Sequence, residues 1–153
     1  MSNTNALNAN KQDYRAAIVA NITPQEAFDK ICRISEWWGT NFEGKSQALH
    51  DIFTVRFGNG DMYKLEIVEL DPNKKVVWQV IDSNQTWHPD NTEWTGTKIV
   101  WEISSQKDGT QIEMTHLGLV PAFECYDTCK RGWDFLLHQS LIKLLTENKG
   151  LPR

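Results

Sequence analysis

The chain predicts an α+β fold in which a curved antiparallel sheet of six strands wraps one long C-terminal helix, with two short helices after the first strand. Three observations predict it. From Tyr126 onward, Cys129, Trp133, Leu136, Leu137, Ser140, Leu141 and Leu144 recur at steps of three and four, one face of an amphipathic helix. Between Phe53 and His116 the apolar residues instead alternate at period two, in runs broken by Asn59-Gly60, Asp71-Pro72-Asn73 and Lys107-Asp108-Gly109. Ahead of both, Thr23-Pro24-Gln25-Glu26 opens a helix with Thr as cap, Pro at the first helical position and Glu closing a capping box. A single amphipathic helix cannot bury its own stripe, so the sheet has to cover it.

Residues 1–12, rich in Asn and without periodicity, read as a flexible N-terminal tail, and 13–153 as one domain. Tyr14 to Asn21, with Ile18 and Val19, suits the first strand. Ala27, Phe28 and Ile31 form the buried side of the first helix, and Ser35 to Trp38 make a second short one that Gly39 ends. Phe53, Val55 and Phe57 alternate with Thr54 and Arg56, and Asn59-Gly60 predicts a tight hairpin to Tyr63, Leu65 and Ile67. There the apolar phase slips to Val68 and Leu70, which predicts a bulge or a strand that curls until both its faces are covered. Val76, Trp78 and Val80 share a face of the next strand. The connector from Asp82 to Gly96 exceeds the usual hairpin loop of about two to five residues, and such length points to a role. Ile99, Trp101 and Ile103, then Ile112, Met114 and His116, complete the sheet. In the long helix Gly132 is expected to let helix and sheet approach beside Trp133. Phe135 and Ile142 point off the main stripe, toward a loop, the tail or a second chain, and Gly150 and Pro152 stop the helix.

Lys+Arg number 16 against Asp+Glu 20, a net charge of -4 with no basic run, which excludes the electrostatic footprint of a nucleic-acid or anionic-lipid binder. No apolar run is long enough to span a bilayer, and the first residues lack the basic-then-apolar pattern of a signal peptide. Three cysteines without framework spacing agree with a reducing compartment, so a cytoplasmic protein is expected. The 7 tryptophans stand out, because indoles suit either a large core or a site for flat apolar ligands.

His116 shares a strand face with Ile112 and Met114 and should point inward near Trp133. There it is a ligand contact, a general base, or a core histidine bonded to a neighbour. Cys125 and Cys129, one helical turn apart, could join His116 or Glu124 at a metal, but structural zinc favours four ligands and closer cysteine pairs, so packing thiols without metal are expected. Glu124 would favour the positive end of the helix. Trp37, Trp38, Trp78, Trp101 and Trp133 fill a core, or, where side chains leave a wedge under the helix, wall a pocket with Tyr63, Met114, His116 and Leu137.

Several segments in order carry a family likeness: Ile22 to Phe28, Trp37-Trp38-Gly39, Trp94-Thr95-Gly96-Thr97, His116 to Pro121, Glu124-Cys125 with Cys129, and Gly132-Trp133 leading to Ser140-Leu141. Over 14–152 the chain resembles the START-like, helix-grip (SRPBCC) superfamily, and within it bacterial homologues of the activator of the heat-shock protein 90 ATPase. The resemblance implies the helix-grip fold. It also implies one of three roles: a cavity that binds a small apolar or aromatic molecule without a cofactor, a surface that meets a chaperone, or a cyclase- or dehydratase-type site using His116. The chain is expected to be a monomer or a weak homodimer.

Overall fold

A computed structural model describes residues 12–153, so the tail expected over 1–12 lies, but for its last residue, outside the described residues. The chain runs β1 (Tyr14–Ala20), α1 (Pro24–Ile31), α2 (Ile34–Trp37), β2 (Asn41–Gly44), β3 (Ile52–Arg56), β4 (Met62–Asp71), β5 (Lys75–Asn84), β6 (Lys98–Gln106) and β7 (Gly109–Leu117). A continuous C-terminal helix follows over 126–147, made of α3 (Tyr126–Phe135), a π-helical turn (Leu136–Leu141) and α4 (Ile142–Glu147). Among the described residues the strands form one antiparallel sheet of seven, in the order β1-β7-β6-β5-β4-β3-β2. The expected count of six is therefore corrected to seven. The additional strand, β2, has four residues, of which Phe42 alone is partly buried, so it offers no alternation to read. It pairs with β3 at the sheet edge and ends in Gly44 at φ +101, where a Cβ would collide with the Ile52 carbonyl.

Local chemistry accounts for the other boundaries. Thr23 Oγ1 accepts the Glu26 backbone N–H at 3.1 Å, the expected cap of α1. Thr23→Ala is expected to lower stability in urea by about 1 kcal/mol; an unchanged midpoint would mean the cap is replaced by solvent. The ladder between β4 and β5 shifts register between Lys64 and Leu65 and again between Ile67 and Glu69, where the apolar phase slips. The Asn59-Gly60 turn is wider than expected: Phe57 N–H closes on the Asp61 carbonyl at 2.9 Å, with Gly60 at φ +97. Asp61 has another task at that position, described below.

The C-terminal helix ends on Asn148, in the left-handed conformation at φ 60, and not on Gly150. Gly150 instead gives a close approach, since a Cβ there would run into the Glu36 carbonyl. The chain can then fold back: Leu151 N–H donates to Ser140 Oγ at 2.8 Å and Arg153 N–H to the Trp38 carbonyl at 3.0 Å. That return places the Arg153 guanidinium 4.5 Å from the centre of the Phe135 ring, so Phe135 is covered within its own chain. Ile142, half-buried, packs against the core.

The π turn explains the burial pattern of the long helix. Trp133, Leu137, Leu141 and Leu145 are all buried at steps of four, although each such step in an α-helix drifts by about 40°. The wider turn holds more residues and brings the row back over the sheet. Beneath it Trp37, Trp78, Trp101 and Trp133 are each at most 1% exposed and meet edge to face, Trp78 and Trp101 at 5.3 Å and Trp37 and Trp101 at 5.6 Å.

Candidate functional site

A cavity of about 410 Å³ opens at one end of this interior, between α3, the hairpin loop 57–61 and the connector 85–97. Its aromatic wall is Trp38, Tyr63, Trp94 and Trp133. Trp94 and Trp133 lie nearly parallel with centroids 5.9 Å apart, Tyr63 sits 4.5 Å from Trp94, and Trp38 is 5.8 Å from Tyr63. Each comes from a different element: the end of α2, β4, the long connector and α3. Gly132 lines the cavity with no atom within 4 Å of where a Cβ would stand, so it leaves room for an occupant and does not serve a close helix–sheet contact as expected.

Asp61 sets the mouth. Its Oδ1 accepts Thr86 N–H at 2.9 Å and Thr86 Oγ1–H at 2.8 Å, and its Oδ2 accepts the Trp87 indole N–H at 3.0 Å. One buried carboxylate thus ties the hairpin to the connector, and the wider turn lets it reach both.

Gln85 is fully buried in the cavity wall. Its Nε2 donates to Tyr63 Oη at 3.0 Å and to Cys129 Sγ at 3.5 Å, and its Oε1 has no partner among the described residues. Turning the amide over would leave Nε2 alone instead, so one polar atom is unpartnered either way. Burial pushes the Tyr63 hydroxyl above the usual phenol range, so it keeps its proton.

Of the nine residues expected at a site, Trp38, Tyr63 and Trp133 line this cavity, while Trp37, Trp78, Trp101, Met114, His116 and Leu137 do not. Those six are packed against one another with exposure of at most 1%. Trp37 donates its N–H to the Ile31 carbonyl at 3.0 Å. His116 lies behind the cavity wall. Its Nδ1 accepts the Trp133 indole N–H at 3.1 Å, which requires the ring proton on Nε2, bonded to Thr97 Oγ1 at 2.8 Å. Thr97 in turn donates to the Trp94 carbonyl at 2.6 Å. Burial pushes the imidazole down to about 3, so it is neutral, with both nitrogens engaged and no lone pair free to take a proton. Its work in this position is to fix Trp94 and Trp133, two walls of the cavity.

The start of the long helix is held by Glu93, from the connector. The Glu93 carboxylate accepts Glu124 N–H and Cys125 N–H, each at 3.3 Å, and bonds His88 Nε2 at 2.7 Å. Burial opposes its charge, yet hydrogen bonds from His88 and those N–H groups hold it below the usual carboxylate range. His88, Glu93 and Cys125 offer ligand atoms within 4.8 Å of one another, the spacing of a metal site. The carboxylate is already supplied with protein donors on both oxygens, so the cluster acts as a clasp between connector and helix.

Sequence reasoning did not find Gln85, Asp61 or Cys129 as cavity residues. The length of the 82–96 connector was the available signal, and Trp94 appeared among the likeness segments.

An aromatic-walled cavity beside the C-terminal helix of a curved antiparallel sheet defines a helix-grip, START-like protein. The chain belongs to the family described as Activator of Hsp90 ATPase homolog 1-like protein, whose sequence pattern matches residues 26–146. It is similar to the solution structure of the Aha1 dimer from Colwellia psychrerythraea, at 22% identity and TM-score 0.73, covering 90% of this chain and 98% of that one. A crystal structure from Mesorhizobium loti aligns at 16% identity and TM-score 0.72, covering 92% and 100%. DynU16, from the dynemicin biosynthetic locus, aligns at 15% and TM-score 0.68, covering 91% of this chain and 49% of that one. Likeness at this identity establishes the fold. Among curated proteins no sequence matches the chain. Among the described residues no helix is long and apolar enough to cross a membrane.

Proposed function

We propose that the chain binds a small apolar or aromatic molecule carrying one polar group, in the cavity between α3 and the loops 57–61 and 85–97, without a cofactor. The observation that carries this reading is the unpartnered amide atom of Gln85 in a wall built mainly on the rings of Trp38, Tyr63, Trp94 and Trp133. A buried polar atom without a partner is costly, by about 1 to 3 kcal/mol, and a ligand group that bonds it recovers that cost. Trp38, Tyr63 and Trp133 are the ligand contacts carried forward from the sequence, joined by Trp94 and Gln85. His116 supports the walls in this reading and does not touch the ligand.

Binding should be visible in tryptophan emission, because Trp38, Trp94 and Trp133 all face the occupant. Titration with 2-naphthol, which offers an O–H, and with naphthalene, which does not, separates the polar contact from the apolar one. Gln85→Leu is expected to weaken 2-naphthol by about 0.5 to 1.5 kcal/mol and leave naphthalene nearly unchanged. No emission change with either probe up to its solubility limit would sink the binding reading. A surface that meets a chaperone would then replace it, on the strength of the family, and stimulation of a chaperone ATPase would be its measurement.

A further inference from the structure

We propose that Cys129 is a nucleophilic site of the cavity, which takes small apolar electrophiles of the α,β-unsaturated carbonyl class as thioether adducts. The inference rests on the cavity reading above and names a substrate class for it.

Of the three free cysteines, Cys129 alone lines this cavity. Two N–H groups point at its sulfur: the Trp94 indole at 3.3 Å and the Gln85 amide at 3.5 Å. A neutral thiol is a weak acceptor, whereas a thiolate in a buried wall needs such donors. The Cys125 thiol, one helical turn away, supplies a third; that bond, ahead of the opposing effect of burial, holds Cys129 below the usual thiol range. The same bond, with burial, pushes Cys125 up. Cys32 is pushed up to about 12 by burial and then by Asp29. The three thiols are thus sharply unequal, and the reactive one faces the cavity.

The pair cannot discharge readily as a disulfide. Helical neighbours one turn apart have Cβ atoms about 5 to 6 Å apart, against about 3.5 to 4.5 Å in a disulfide. Cys129 N–H bonds the Cys125 carbonyl at 2.8 Å, so closing the gap would mean unwinding this turn.

A second feature points to a ligand with a carbonyl. Tyr63 Oη accepts from Gln85, which leaves its own hydrogen free to donate to a carbonyl oxygen, while Gln85 Oε1, an acceptor without a partner among the described residues, suits a donor elsewhere on the occupant. The Cys129 thiolate forms a C–S bond at the β-carbon, and the C=C pair moves onto the carbonyl oxygen as an enolate bonded by Tyr63 O–H. The α-carbon takes a proton from water, and the hydroxide left behind accepts the proton that Cys129 released on ionising. The net change is addition of S–H across C=C, with no oxidant and no leaving group.

Incubation of the intact protein with 4-phenyl-3-buten-2-one, followed by intact-mass spectrometry and peptide mapping, tests it. One adduct is expected, on Cys129, forming at neutral pH more than about tenfold faster than in the urea-unfolded chain. Trp94→Phe keeps a ring in the wall but removes the indole donor, and should slow the adduct several-fold when the rate is read at saturating 4-phenyl-3-buten-2-one, where a change in binding drops out. Cys129→Ser should give no adduct; should it fail to fold, mapping of the wild-type adduct decides the position. An adduct on Cys32 or Cys125, a rate equal to that of the unfolded chain, or Trp94→Phe reacting as fast as wild type overturns the proposal. If the saturated analogue 4-phenyl-2-butanone alters tryptophan emission but no adduct forms, this proposal fails and the cavity reading stands. If neither occurs, both fail.

Discussion

Trp133→Ala is expected to destabilise the fold by about 3 to 5 kcal/mol, the range for emptying a buried aromatic site. The indole is 1% exposed and touches Trp38, Trp94, Trp101 and His116 at centroid distances from 5.5 to 6.4 Å. Its N–H is the donor that fixes the His116 tautomer, so the substitution also strands Nδ1 in a site where burial keeps the ring neutral. Trp133→Phe separates the two contributions: it keeps much of the ring and loses only the bond, and should cost about 1 to 3 kcal/mol. Because Trp133 is also a cavity wall, water entering from the mouth can relax part of the hole, which places the expected loss for Ala toward the lower end of its range. Urea unfolding measures both variants. A loss below about 1 kcal/mol for Trp133→Ala would show that the indole is not the anchor of this interior.

What the sequence made legible and what it hid divide along one physical line. Periodicity reports which side of an element faces inward, so the stripe from Cys129 to Leu144 and the alternation on β3 to β7 were readable. It does not report whether the inward side chains of different elements fill the space between them. Trp78, Trp101, Met114 and His116 were read as pocket residues because they face inward, yet they face one another and close the middle of the interior. The open space lies at the end, where the hairpin loop and the connector stand beside α3. Loops carry no period, so Asp61 and Gln85 gave no signal of their own. Trp38, Tyr63 and Trp133 were legible as inward aromatics; Trp38 and Tyr63 reach the cavity because each sits near the end of its element, and Trp133 because the cavity lies along the first half of the long helix. Four-residue β2 and the π turn were hidden for the same reason as the loops: neither extends a pattern long enough to be counted.

Acidification is expected to destabilise the protein through His116 well before its carboxylates are titrated. Burial pushes the folded-state imidazole down to about 3 from an ordinary value of 6.5. The unfolded chain therefore takes up a proton as pH falls through about 6.5, while the folded chain does not do so until about 3. With more protons bound to the unfolded state, stability rises with pH across this window: the His116 contribution is fully present above the unfolded value and is lost progressively as pH falls toward the folded one. The slope approaches about 1.4 kcal/mol per pH unit, so moving from pH 7 to pH 5 should remove about 2 kcal/mol. Glu93 and Asp134, held below the usual carboxylate range, add losses of the same sign at lower pH, as each protonates in the unfolded chain first. His116→Gln isolates the effect, since its amide cannot take the proton and retains a donor for Thr97. It should be less stable than wild type at pH 7 and lose distinctly less between pH 7 and pH 5 in urea unfolding. Equal losses in the two proteins over that interval would show that the imidazole is not held neutral behind the cavity wall.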